Sequence, residues 1–262
     1  MSAGSHPELD RVLRVFGSTP WMTPDQGRAV FAHLTAAGAR DVLDIGTCYG
    51  TSAAYFAAAV AANGGGRVVT VDSAQFDEMS EASQWVEQGL TEAGVRDHVD
   101  VVRIPHSSYA WWLKEQVEQR SDEHGNCTPC FDFVYLDGAK SLTIDGVSVV
   151  FIERLLRPGG WLLLDDTKWT FDSNPKVIQT DGVAYGMSEA ELREPHIAAV
   201  LELIIKPSGA FSVIRREEDG EWAWAQKSAT ARPRYEVYYT RSLGDRALDR
   251  LLHARGRLSR KR

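Results

Sequence analysis

Five short apolar runs rich in β-branched and large aliphatic residues recur along the chain: DVLDI (41–45), RVVTVD (67–72), VDVVRI (99–104), FDFVYLD (131–137) and GWLLLDD (160–166). Near-continuous apolar runs of this length predict strands buried on both faces, since a strand with one wet face alternates apolar and polar residues. Between them lie stretches with helical character: TSAAYFAAAVAA, FDEMSEASQWVEQGLTEAG, SYAWWLKEQVEQR and GVSVVFIERLL. Strands alternating with helices predict parallel strands joined by crossovers, a doubly wound α/β sheet.

Ahead of the first strand, MTPDQGRAVFAHLTAAGA carries a capping Thr23 and Pro24 at a first helical position, so a helix leads into the sheet. LRPGG (156–160) reads as a helix stop and turn, and the polar SDEHGNCTPC (121–130) as a loop. After Trp169 the pattern changes. FDSNPKVIQTDGVAYG is irregular, EAELREPHIAAVLELIIK predicts a helix, and AFSVIRREEDGEWAWAQK predicts two strands around an EDGE turn. The architecture expected is a mostly parallel seven-stranded sheet with an antiparallel C-terminal hairpin. Its parts are an N-terminal helical cap (1–40), a central domain (41–228) and a basic tail (229–262).

Composition narrows the function classes. The 262 residues are 44% hydrophobic and 25% charged, which suits a large α/β domain. The N-terminus lacks a signal-peptide pattern and no run approaches a membrane span, so a cytoplasmic protein without membrane attachment is expected. The net charge is −7, yet from Arg232 onward ten Lys or Arg face three acidic residues. An acidic body matches nucleic acid poorly, and the tail reads as a solvated or dimer-packing segment, compatible with a homo-oligomer. Of the three cysteines, Cys127 and Cys130 form a lone CxxC without a second ligand pair; they read as free thiols.

The candidate chemistry lies where strands end. VLDIGTCYG puts Asp44, Gly46 and Gly50 at the first strand–helix junction, where an open α/β sheet binds ligands and where glycine lets backbone approach them. The G-x-x-x-G spacing departs from the G-x-G-x-x-G of dinucleotide-binding loops, which argues against a nicotinamide cofactor. Asp72 ends the second strand, a place from which a carboxylate can accept both ribose hydroxyls; a solvated strand-end acid is the plain alternative. Asp137 and the pair Asp165–Asp166 end the fourth and fifth strands. Neighbouring strands lie about 4.8 Å apart, so these acids can converge on one hard divalent cation such as magnesium. Turn and cap roles are the alternative.

VLDIGTCYGTSAAYFA followed by VVTVD resembles the S-adenosylmethionine site of class I methyltransferases, and TEAGVRDHVDVVRIPHSS is similar to their catechol O-methyltransferase branch. The resemblance, from about Met22 to Trp169, implies a Rossmann-like methyltransferase fold. It also implies cofactor contacts at Asp44, Gly46, Gly50, Ser52, Asp72, Ser107 and Asp137. It implies a D-x-x-K element in which Asp137 ligates Mg2+ with Asp165 and Asp166, and Lys140 acts as base. Such a lysine would need neighbouring positive charge to lower its pKa from about 10.4. Asp166 stands where the catechol enzymes carry asparagine; some metal-dependent methyltransferases of antibiotic sugars look similar in pairing aspartates there. The expected activity is transfer of a methyl group to a hydroxyl of a small molecule, a natural product, sugar or phenol. A metal-independent methyltransferase, or an RNA-associated cofactor-binding protein using the basic tail, are the alternatives. Trp169, Phe171 and Tyr185 are candidate walls of the acceptor pocket.

Overall fold

A computed structural model describes residues 6–73, 82–105, 108–174, 182–217 and 221–230. Ser107 and the basic tail from residue 231 onward lie outside them, as does most of the expected EDGE turn.

The apolar runs form strands β1 (Asp41–Ile45), β2 (Arg67–Ser73), β3 (Val99–Ile104), β4 (Phe131–Leu136) and β5 (Leu156–Leu164), followed by β6 (Phe211–Arg216) and β7 (Ala223–Lys227). They make one seven-stranded sheet in the order β3-β2-β1-β4-β5-β7-β6. β1 to β5 run parallel, and β7 enters antiparallel between β5 and β6. The chain winds outward from β1 in one direction and from β4 in the other, so the switch point lies between them. Ligands of open α/β sheets bind outside the carboxyl ends of strands at that point.

Alternation along each strand divides the core in two. Val42, Val68, Phe133, Tyr135, Leu163, Trp222 and Trp224 turn to one face. There they meet α1 (Pro7–Phe16), α2 (Pro24–Ala37), α3 (Thr51–Ala62) and α4 (Ala82–Glu92). Leu43, Ile45, Val71, Val134, Leu136, Leu162 and Leu164 turn to the other, covered by α5 (Tyr109–Gln119), α6 (Leu142–Leu155) and the 196–205 segment. The N-terminal helices therefore share the main core. Thr23 and Gln26 close a capping box at the start of α2, and Gly38, at φ +63°, ends it. α3 is buried from Thr51 to Val60, and its alanines let it lie close against sheet and helices together.

Two elements differ from the sequence pattern. LRPGG, expected as a turn, belongs to β5: Leu156 pairs with Phe131 and Trp161 with Phe133, with a register shift between. The Arg-Pro-Gly-Gly stretch is accommodated as a bulge, where Pro needs no ladder donor and Gly159 takes φ +81°. The segment expected as one helix is broken into Glu189–Arg193 and His196–Val200. Pro195 supplies no N–H, and it forces Glu194 into an extended conformation, φ −77° and ψ 133°. No helix among the described residues is long and apolar enough to cross a membrane. Cys127 and Cys130 are free thiols, neither fully buried nor fully exposed.

Candidate active site

The loop after β1 is shaped by contacts that only glycine permits. Gly46 adopts φ +104°, and a Cβ there would stand 2.2 Å from the carbonyl oxygen of Asp137. Its N–H donates to the Val71 carbonyl at 3.0 Å, so the loop is tied to β2 as it passes β4. Gly50, at φ +76°, then turns the chain into α3.

Beneath this loop Asp44 is fully buried and its carboxylate is occupied by protein donors. It accepts from Ser52 Oγ at 3.0 Å and Thr70 Oγ1 at 2.8 Å, and Thr70 Oγ1 also shares a hydrogen bond with Thr47 Oγ1 at 2.8 Å. Burial drives the Asp44 pKa up to about 8 against the pull of the Thr70 and Ser52 hydroxyls. Asp44 and Ser52, expected as ligand contacts, thus form an internal clamp under the loop. Asp72 sits differently. One of its oxygens accepts the Cys48 N–H at 3.0 Å and the other the Ser73 N–H at 2.8 Å, so backbone from loop and strand fixes its orientation.

Across the switch point, Asp137 and Lys140 follow β4, and Asp165 and Asp166 follow β5. Lys140 Nζ stands 2.8 Å from Asp137 Oδ1 and 3.0 Å from Asp166 Oδ2. The Tyr135 hydroxyl donates to Asp165 Oδ2 and lies 3.5 Å from Asp137 Oδ2. The Asp166 N–H donates to the other Asp165 oxygen at 2.7 Å. Burial, with Asp137 and Asp166 adding like charge, pushes Asp165 up to about 7. Burial also raises Asp137, opposed by the Lys140 ammonium.

The environment of Lys140 is opposite to the one a base requires. Burial pulls its pKa down, but the carboxylates of Asp137 and Asp166 outweigh that and hold it above the ordinary lysine value. The ammonium is an ion-pair donor to Asp137 and Asp166.

The expected Mg2+ ligands Asp137, Asp165 and Asp166 do lie at adjacent strand ends. Among the described residues, however, no group of three or more His, Cys, Asp or Glu side chains is arranged to hold a metal ion. Between Asp137 and Asp166 stands the Lys140 ammonium. In kind the donors suit a hard divalent cation, being carboxylate oxygens crowded by like charge, and the lysine occupies the place of such a charge.

Cys48, Lys140 and Asp166 are three of the four non-glycine residues with positive φ among those described, at +40°, +56° and +56°. All three lie at the carboxyl edge of the sheet. Strain gathered at one edge and held by surrounding contacts marks functional sites.

Several residues escaped the sequence pattern. Tyr135 shared the face of Asp137 by period-2 alternation, a usable signal. Tyr109, Asp145 and His196 converge on the Asp137–Leu142 loop from separate elements, and no local pattern announces them. Trp169, Phe171 and His196 form a ring series beside it, with centroids 4.8 Å and 5.3 Å apart, while Tyr185 is 92% exposed.

Residues 43–167, from β1 to just beyond Asp166, match a family model described as a methyltransferase domain. This stretch, just under half of the chain, is thus similar to a methyltransferase domain. Solved methyltransferases share its fold. An O-methyltransferase from Bacillus cereus in complex with SAH is 22% identical, with a TM-score of 0.56 over 87% of this chain and 94% of that one. The O-methyltransferase TomG from Streptomyces achromogenes, involved in tomaymycin synthesis and bound to SAM, is 17% identical, with a TM-score of 0.53 over 87% and 92%. The SAH-bound methyltransferase PaMTH1 from Podospora anserina is 16% identical, with a TM-score of 0.54 over 86% and 89%. A comparison with curated proteins finds no match. The architecture is therefore the Rossmann-like methyltransferase fold, as the resemblance implied.

Proposed function

We propose that this protein is an S-adenosylmethionine-dependent O-methyltransferase acting on a hydroxyl of a small molecule. The observation that carries the reading is the contact of Gly46 with the Asp137 carbonyl, which places the glycine loop and the Asp137–Lys140–Asp166 ion cluster side by side. A methyl donor in that loop would have an acceptor oxygen at the cluster within its reach, and much of the rate would come from this positioning.

In this reading Gly46 and Gly50 admit the donor and Asp72 receives its ribose hydroxyls. Asp44 and Ser52 keep the loop in place from below. Ser107, beside the adenine, lies outside the described residues and remains part of the proposal on resemblance alone. Asp137, Asp165 and Asp166 would hold a divalent cation, whose charge lowers the pKa of an acceptor hydroxyl. Lys140 presents an ammonium that stabilises a developing oxyanion, and it can take the acceptor's proton only when its own has been lost.

A metal-independent variant of the same reading is favoured by one observation, the ammonium between the two carboxylates. In it Lys140 alone supplies the positive charge. The two are separated by one experiment: incubation with S-adenosylmethionine and a panel of phenols, catechols and hydroxylated sugars, with Mg2+ or with EDTA, following S-adenosylhomocysteine and the methylated product. Turnover that dies in EDTA and returns with Mg2+ supports the metal reading, and unchanged turnover supports the lysine. Methyl groups found on nitrogen or carbon would overturn O-transfer, and absence of S-adenosylhomocysteine binding by calorimetry would overturn the cofactor.

A further inference from the structure

The loop that carries Lys140 is held in an unfavourable conformation by three side chains that the reading above does not use. Lys140 has φ +56°, a region long side chains seldom enter without outside support. The N–H groups around it are each taken by a side chain. Ala139 N–H donates to Tyr109 Oη at 2.9 Å, Ser141 N–H to Asp145 Oδ2 at 2.6 Å, and Leu142 N–H to His196 Nδ1 at 3.1 Å.

All three partners are buried, and Tyr109 and Asp145 are linked to each other. The Tyr109 hydroxyl, while accepting from Ala139, donates its own hydrogen to Asp145 Oδ1. Asp145 is 0% exposed and ends with both oxygens engaged. With Nδ1 accepting, His196 carries its hydrogen on Nε2 and donates it to the Glu191 carbonyl at 2.8 Å. Gly138 packs against the Tyr109 side chain, where a Cβ would meet Cε1 and Oη at 2.4 Å. A plain helix cap at Asp145 would explain one bond. It would not explain a phenol and an imidazole, brought from α5 and the 196–200 helix, closing on the residues either side of Lys140.

We propose that Tyr109, Asp145 and His196 are positioning residues that lock the 138–142 loop so that Lys140 directs its ammonium between Asp137 and Asp166. This rests on the reading of Lys140 as the residue acting on the acceptor. The phenol and carboxylate act as a unit, because loss of the hydroxyl leaves both a half-buried N–H and a buried carboxylate oxygen without their partner.

The test uses the full-length 15N-labelled protein and the ammonium cross-peak of Lys140, assigned by its disappearance in Lys140→Met. Tyr109→Phe and His196→Ala should shift or abolish that peak, while amide signals remote from 137–142 and S-adenosylhomocysteine affinity hold. His196→Asn, whose amide oxygen can stand in for Nδ1 as acceptor of the Leu142 N–H, should restore it. With S-adenosylmethionine and 3,4-dihydroxybenzoate as probe, Tyr109→Phe should lower kcat about 10- to 100-fold with the cofactor KM unchanged. In the Lys140→Met background it should cost nothing further. An unchanged ammonium peak in both variants, no such peak in the wild type, or losses that multiply in the double variant would overturn the proposal. Failure of the wild type to methylate the diol would count against that reading of the site, and the ammonium peak would then decide the positioning by itself.

Discussion

The carbonyl oxygen of Asp137 lies 2.2 Å from the point where a Cβ on Gly46 would stand, so the first glycine of the β1 loop touches the first acid after β4. The two residues that flank the switch point are packed backbone to backbone. Any side chain at position 46 must separate the halves of the site.

Gly46→Ala should therefore fail twice, through the clash and through φ +104°. We expect a stability loss of at least about 2 kcal/mol, with loss of S-adenosylhomocysteine binding in whatever folds. Thermal melting and calorimetry measure both; a variant that melts and binds like the wild type would contradict the contact.

Asp72→Ala should weaken S-adenosylhomocysteine binding about 10- to 100-fold, the worth of hydrogen bonds to a charged acceptor. The Cys48 and Ser73 N–H groups also lose their acceptor, so Asp72→Asn is the gentler companion, keeping an oxygen there without the charge. Titration calorimetry on both separates the ribose role from support of the loop.

Lys140→Met should slow methyl transfer about 100-fold or more while leaving cofactor affinity unchanged. The same change removes the charge that competes for Asp137 and Asp166, and Mg2+ affinity should rise about tenfold or more, since a unit charge about 4 Å away is worth several kcal/mol at an effective dielectric near 20. Weaker Mg2+ binding in this variant would show that lysine and ion do not compete.

Asp44 makes stability depend on pH in a direction opposite to most carboxylates. Its pKa rises from the ordinary 3.8 to about 8 because burial disfavours the charge, so the native state holds the proton more tightly than the unfolded chain. Its contribution is present below about pH 4 and declines as pH climbs through about 8, by up to about 1.4 kcal/mol per unit. Asp44→Asn, which keeps a neutral side chain among Ser52 and Thr70, should flatten that part of the profile. Urea melts at pH 5 and pH 8 measure the difference; equal slopes for both proteins would exclude Asp44 as the cause.

The sequence by itself determined the features that depend on neighbours along the chain. Apolar runs and helical spacing marked the five parallel strands and their crossovers, Thr23 and Pro24 marked the start of α2, and glycine with strand-end acids marked the edge where chemistry gathers. Local patterning suffices there because strand and helix periods are properties of consecutive residues. Tertiary structure decided what depends on approach between distant segments. It turned Asp44 inward onto Ser52 and Thr70, and it drew LRPGG into a bulged strand opposite Phe131. It brought Tyr109 onto Asp145, 36 residues away, and gave Lys140 two carboxylates as neighbours. The pKa of a side chain and the strain its backbone bears are set by burial and by the charges packed against it, and these exist only once the sheet has assembled.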